Sequence, residues 1–245
     1  MRLDVYFAPG EVGPGDLTGR TVVVLDVLRA TSVIVAALAA GARAIYPVGS
    51  VEEALRLANT LGRGDVVLCG ERRCLPIEGF DLGNSPVEFT PERVAGKTLV
   101  MSTTNGTLAI LASQGAARVL VGSLLNLSAV AEELARSAAE PVFICAGRER
   151  HFALDDAVAV GAVAQRLLEL RPGEWRLNDG AQAALALAER FGCDAALFAR
   201  TASGQAIAAA GLEADLDDCA RLDEHAVLPT LHDRSIVLSG VGAAR

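Results

Sequence analysis

Apolar residues along the chain follow two rhythms. Unbroken runs such as TVVVL (21–25), TLVM (98–101) and PVFIC (141–145) read as strands buried on both faces, since no polar residue alternates within them. Between them, ATSVIVAALAA (30–40) reads as an apolar helix, and VEEALRLA (51–58) and VAEELARS (130–137) as helices that each carry an acidic pair. Strands separated by helices predict right-handed crossovers and a largely parallel sheet.

The order of elements occurs twice. GRTVVVLDVLRATS (19–32) and GKTLVMSTTNGT (96–107) both run from Gly, a basic residue and Thr through a strand and a polar turn into an apolar helix, 77 residues apart. Each helix ends in Gly-Ala, at 41–42 and 115–116. A second strand follows, then VGS at 48–50 and 121–123, then a helix with an acidic pair. The third strands are DVVLCGER (65–72) and PVFICAGR (141–148), in which Cys69 and Cys145 match. Residues 19–72 and 96–148 therefore read as two similar βαβαβ repeats. From 155 to 211 the pattern is helical, with breaks at Gly173 and Gly180, and LHDRSIVLS (231–239) suggests a last strand. The expected fold is a three-layer α/β/α arrangement in one compact domain over 1–245, its parallel sheet built from the repeats, with a helical C-terminal addition.

Composition narrows the class. The chain has 245 residues, 51% hydrophobic but only 4% aromatic, so Ala, Val and Leu must supply the core. No run approaches the ~18 apolar residues of a membrane span, and MRLDVYFAPG lacks a signal-peptide pattern. A cytoplasmic protein without membrane partners is expected. The net charge of −8 and the lack of a basic cluster argue against nucleic acid. Five cysteines without CxxC spacing read as reduced, mostly buried thiols, not as a zinc site. A homo-oligomer is compatible with the sequence and not required by it.

Ligands of such sheets sit beyond the carboxyl ends of the strands. Four polar turns occupy such positions: 26–32, 71–73, 102–107 and 147–150. STTNGT (102–107) and RATS (29–32) carry the hydroxyls and glycine of an anion cradle at a helix start, although ordinary N-capping would use the same residues. Between the repeats, ERRCLPIEGFDLGNSPVEF (71–89) sets Glu71, Glu78, Asp81 and Glu88 among glycines and prolines. Hard oxygen ligands in such a loop suit Mg²⁺, and a solvated acidic loop is the plainer reading. Asp155-Asp156 is either a helix-start pair or part of the chemistry.

Several familiar devices are excluded. Gly96-Lys97-Thr98 looks like the end of a P-loop, but Pro91 stands where the first glycine is needed and a strand follows. No GxGxxG occurs. Neither Cys69 nor Cys145 has the arginine six places on that a cysteine phosphatase loop needs: Leu75 and His151 stand there. Asp26 sits like an aspartyl nucleophile, but Leu28 replaces the second aspartate.

DVLRATS, GERRCLPIEGFDLGNSP, STTNGT, CAG followed by FALDD, and DDCARLDEHAVLP resemble the 2-phosphosulfolactate phosphatase family in order and spacing, from Asp4 to about Pro229. The resemblance implies Mg²⁺-dependent hydrolysis of 2-phospho-3-sulfolactate to 3-sulfolactate and phosphate, a step towards coenzyme M. It departs from the family at Arg73-Cys74, where small residues are usual, and at Asp155-Asp156, where Glu-Asp is expected. Joined to the local reading, it implies Asp26, Glu71 and Asp81 as Mg²⁺ ligands and catalytic residues with Arg29. Thr31 and Ser32 would help Arg29 hold one anionic group, and Ser102, Thr103, Thr104, Asn105 and Gly106 another. Arg148 would take the sulfonate or carboxylate through its fork of donors, and Asn84 and Ser85 would complete the pocket. A phosphatase of another small phosphorylated acid, or a non-catalytic anion-binding protein, are the alternatives.

Overall fold

The computed structural model describes residues 1–137 and 140–238; the end of the expected 1–245 unit, 239–245, lies outside the described residues, as do 138–139. The first stretch runs β1 (Arg2–Tyr6), β2 (Thr21–Leu25), α1 (Ala30–Ala39), β3 (Ala44–Pro47), α2 (Val51–Leu61), β4 (Val66–Arg72) and β5 (Leu75–Pro76). Next come α3 (Pro91–Val94), β6 (Thr98–Ser102), α4 (Gly106–Ala112), β7 (Arg118–Gly122), α5 (Leu127–Arg136) and β8 (Pro141–Cys145). The last part holds α6 (Leu154–Leu170), β9 (Arg176–Leu177), α7 (Asp179–Phe191), α8 (Ala195–Phe198), α9 (Ala202–Ala209), α10 (Ala214–Ala220), β10 (Pro229–His232) and β11 (Ser235–Leu238).

Among the described residues, all eleven strands join one sheet, in the order β5-β4-β6-β3-β11-β10-β7-β2-β8-β1-β9. Pairing is parallel within β4-β6-β3 and within β7-β2-β8-β1. The β10-β11 hairpin bridges the two groups through antiparallel pairs with β7 and β3. Neither group comes from one stretch of chain. β6, from the second segment, lies between β4 and β3 of the first, and β2, from the first, lies between β8 and β7 of the second. Outwards from the hairpin, each side runs second, first, third, with the first strands exchanged. The sheet is thus mostly parallel, but its halves interlock rather than standing side by side.

Helices cover both faces because the strands are apolar at every position. Val22 and Val24 pack with Ile34 and Leu38 of α1 and Ile110 of α4. Their neighbours Val23 and Leu25 turn the other way, towards Val130 of α5, Val163 of α6 and Ala184 of α7. In the other half, Val100 and Leu68 meet Ala54 and Ala58 of α2. Local signals agree with this placement. Ser50, the end of the first VGS, caps α2 by accepting from the Glu53 amide at 3.1 Å. Gly19 and Gly96 take nearly the same left-handed φ, +73° and +72°, two residues ahead of β2 and β6. Among the described residues no helix is long and apolar enough to cross a membrane.

Candidate active site

Strand exchange brings together the carboxyl ends of β2, β4, β6 and β8. One pocket is lined by Asp26 and Arg29 after β2, Glu71 at the end of β4, Thr104 and Asn105 after β6, and Arg148 after β8. Asn84 joins them from the loop after β5, and Leu28, Arg73, Cys74, Glu149, Ser203 and Ile207 complete the lining. Seven of the residues singled out in the sequence therefore share one space.

Asp26 lies at the centre of the electrostatics. It is 9% exposed, and its carboxylate lies beside the Arg29 and Ala30 amides at the start of α1, which favour its charged form. Burial, then repulsion from Glu71 and Asp155, pushes its pKa up to about 7 despite those amides. Asp156 is also raised well above the usual carboxylate range, by burial and by Asp155 and Asp26. Its two oxygens accept from the Val27 and Gly147 amides at 2.9 and 3.0 Å, which ties the turns after β2 and β8 together. Burial also raises Asp155, although the nearby Ser203 and Thr201 hydroxyls and Arg148 oppose it. The acidic pair thus supports the floor of the site from behind.

Glu71 is 7% exposed and held at both oxygens: Oε1 accepts from the Thr104 amide at 2.7 Å and Oε2 from the Cys74 amide at 2.9 Å. The Thr104 amide therefore already holds an anion, the protein's own carboxylate. Thr103 and Thr107 serve each other: the Thr107 amide donates to Thr103 Oγ1 at 3.0 Å and the Thr103 amide to Thr107 Oγ1 at 3.2 Å. Ser102 is fully buried and its Oγ accepts from Arg72 at 2.8 Å. Only Thr104 and Asn105 of STTNGT face the pocket. Gly106 matters for what it lacks, because a Cβ there would lie 2.5 Å from the Ala30 Cβ and 2.6 Å from Asp26 Oδ2. Its bare backbone lets α4 start directly against Asp26 and α1.

Other expected residues also turn out to be scaffolding. Thr31 Oγ1 accepts from the Asp26 amide at 3.0 Å and Ser32 Oγ donates to the Val27 carbonyl at 2.9 Å; both are fully buried. Ser85 Oγ donates to Asp215. Asp81 is exposed and outside the pocket. Its loop runs along the outer edge of β4, where Asp81 Oδ2 accepts from the Leu68 amide at 2.8 Å and its own amide donates to the Leu68 carbonyl at 2.9 Å. An acidic residue among glycines here closes a sheet edge. Among the described residues no group of three or more His, Cys, Asp or Glu is placed to hold a metal by itself, so the expected Asp26-Glu71-Asp81 set is not assembled.

Asp215, which no sequence signal singles out, reaches the site from α10. It is 2% exposed and its Oδ2 pairs with Arg29 Nη1 at 2.8 Å. Arg29 Nη2 donates to the Cys74 carbonyl at 2.8 Å. Nothing in the pattern LEADLDDCA distinguishes Asp215 from its more exposed neighbours; only its place on the buried side of a short helix does.

The donor set suits a divalent cation that keeps waters of its own. Asp26 and Glu71 line the same pocket and repel each other, and the buried Oδ1 of Asn84 has no hydrogen-bond partner. An uncompensated buried acceptor beside two crowded carboxylates is what a cation would satisfy.

An α/β protein whose strand ends and adjoining turns gather three carboxylates and three arginines around one small pocket is built to take a small, highly charged anion, with phosphoryl groups foremost. The sequence comparisons give the family. The profile of the 2-phosphosulpholactate phosphatase family matches residues 6–234, and the chain belongs to that family of phosphatases. A probable 2-phosphosulfolactate phosphatase of Symbiobacterium thermophilum is 40% identical over 225 residues, covering 91% of this chain and 96% of its own. One from Deinococcus radiodurans is 40% identical over 233 residues, covering 94% and 93%. Another, from Caldanaerobacter subterraneus, is 45% identical over 170 residues, covering 69% and 70%.

Proposed function

We propose that this chain hydrolyses 2-phospho-3-sulfolactate to 3-sulfolactate and phosphate with Mg²⁺, as a cytoplasmic step towards coenzyme M. The observation that carries this reading is the joint presence of Asp26, Glu71 and the unpartnered Asn84 Oδ1 with Arg29, Arg73 and Arg148 in one pocket. The substrate carries three anionic groups, and the pocket offers three guanidinium groups. Family membership and the names of the relatives support the substrate assignment.

Asp26 and Glu71, with Asn84 Oδ1, would hold Mg²⁺, which supplies charge neutralisation at the phosphoryl oxygens when bound. Arg29, fixed by Asp215 and the Cys74 carbonyl, presents its remaining N–H groups to an anionic oxygen. Thr104, Asn105, Arg148 and Ser203 line the same pocket. Leu28 and Ile207 supply apolar lining beside these charges. The same reading treats residues 19–72 and 96–148 as a duplicated unit; the mirrored strand order around the central hairpin supports it. The test is phosphate release from 2-phosphosulfolactate and from a panel of other small phospho-acids, with Mg²⁺ and with chelator. Preference for another phospho-acid would reject the substrate, and no release from any would reject the enzyme reading.

A further inference from the structure

Of the three arginines in the pocket, two are already engaged. Arg29 is buried against Asp215 and the Cys74 carbonyl, and Arg148 Nη1 donates to the Ala202 carbonyl at 2.8 Å. Arg73 has neither an ion pair nor a hydrogen bond from its side chain among the described residues, yet it lines the same pocket from an exposed position at its mouth. Its guanidinium keeps all five donors for a ligand.

The backbone beneath Arg73 is unusual. β4 and β5 form a hairpin in which Arg72 pairs with Leu75, so Arg73-Cys74 is a two-residue turn. Both residues have positive φ, +53° and +68°, the conformation of a type I′ turn that Asn-Gly would fill without strain. Non-glycine residues persist in this region only where their surroundings hold them. Here the holders are pocket groups: the Cys74 amide donates to Glu71 Oε2 and its carbonyl accepts from Arg29 Nη2. The turn is thus pinned at Cys74 by two charged groups of the pocket while the Arg73 side chain is left free. The hairpin after β8 is built alike, with Glu149 and Arg150 at φ +49° and +69° between paired Arg148 and His151, and Glu149 also lines the pocket.

We infer that Arg73 is a specificity-determining residue, which binds the anionic group of the substrate farthest from the phosphoryl group. This role rests on the proposed phosphatase reading and adds what that reading leaves open: which group distinguishes a multiply anionic substrate from a plain phosphate ester. At this turn an arginine side chain lines the pocket, whereas glycine would suit the backbone and reach nothing.

The experiment compares wild type, Arg73→Gly and Arg73→Lys on 2-phospho-3-sulfolactate and on p-nitrophenyl phosphate, which carries no second anion. Arg73→Gly is expected to raise KM for phosphosulfolactate about tenfold to a hundredfold, the usual worth of a charge-assisted contact, with KM for p-nitrophenyl phosphate within about twofold. Arg73→Lys should fall between, since it keeps the charge without the fork. The melting temperature of Arg73→Gly should match or exceed that of wild type, because glycine fits φ +53°. A wild type active on both substrates whose Arg73→Gly variant keeps its KM for phosphosulfolactate would overturn the role of Arg73 alone. A wild type that hydrolyses p-nitrophenyl phosphate but not phosphosulfolactate would overturn the substrate reading, and the role of Arg73 with it.

Discussion

Replacing Gly106 with alanine adds one methyl group at the point where α4 starts against α1. Its φ lies outside the left-handed region, so the backbone accepts alanine, and helix propensity alone would favour the change by about 0.8–1.0 kcal/mol. The obstacle is local: the methyl would sit 2.5 Å from the Ala30 Cβ and 2.6 Å from Asp26 Oδ2. Ordinary carbon contacts lie at about 3.5–4.0 Å, so roughly 1 Å must be found. The Ala30 Cβ is fixed to α1 and the turn that holds Asp26 immediately precedes that helix, so the carboxylate and the helix start must give together. Overpacking of this kind costs about 1–3 kcal/mol, which offsets the propensity gain and leaves a small net loss of stability. A displacement of about 1 Å at a catalytic group costs about a hundredfold in rate. Gly106→Ala should therefore melt within a few degrees of wild type while kcat for phosphate release falls about a hundredfold. Wild-type kcat in a folded Gly106→Ala protein would show that the position of Asp26 does not matter to the reaction.

Other perturbations separate the groups of the pocket from their scaffolding. Asp81→Asn should leave kcat and the Mg²⁺ requirement unchanged and lower only the melting temperature, whereas Asp26→Asn should abolish turnover; equal loss from both would return Asp81 to the site. Asp215→Ala leaves the Arg29 charge buried without its partner and should cost about 3–5 kcal/mol in urea unfolding, against less than about 0.5 kcal/mol for Asp217→Ala. Because the Asp26 carboxyl is raised to about 7 in the metal-free fold, the fold binds its proton more tightly than the unfolded chain does. Its contribution to stability is therefore present at low pH and lost as pH rises towards 7. Metal-free wild type should lose melting temperature relative to Asp26→Asn between about pH 4 and 7, and a constant difference across that range would contradict the shift. Mg²⁺ at a hundred times its Kd should add about 2.7 kcal/mol to wild-type stability, and much less to Asp26→Asn.

The apolar runs show where strands and helices lie because each run is buried on both sides, as Val22 to Leu25 illustrate. They do not show which strand pairs with which. β2 and β6 have much the same sequence pattern, and only long-range packing places each among the strands of the other segment. Strand ends pointed to the pocket, since position in the chain and position in the sheet coincide for Asp26, Glu71, Thr104 and Arg148. Side-chain direction is a different matter. Asp81 and Ser85 have the chemistry of ligands, but each is taken up by a neighbour, the Leu68 amide and Asp215. STTNGT looks like a cradle for a foreign anion, and one of its amides binds Glu71 instead. Asp215 was out of reach for the opposite reason: it comes 186 residues after its partner Arg29, with nothing local to mark the pairing.

Phosphate release from 2-phospho-3-sulfolactate, followed on one preparation of wild type and one of Asp26→Asn, tests whether the carboxylates of this pocket run a Mg²⁺-dependent phosphatase. Wild type should be active with Mg²⁺, fall to background after chelation and recover when Mg²⁺ is returned, while folded Asp26→Asn stays at background throughout. Full turnover by wild type after exhaustive chelation, or by Asp26→Asn with Mg²⁺, would contradict it.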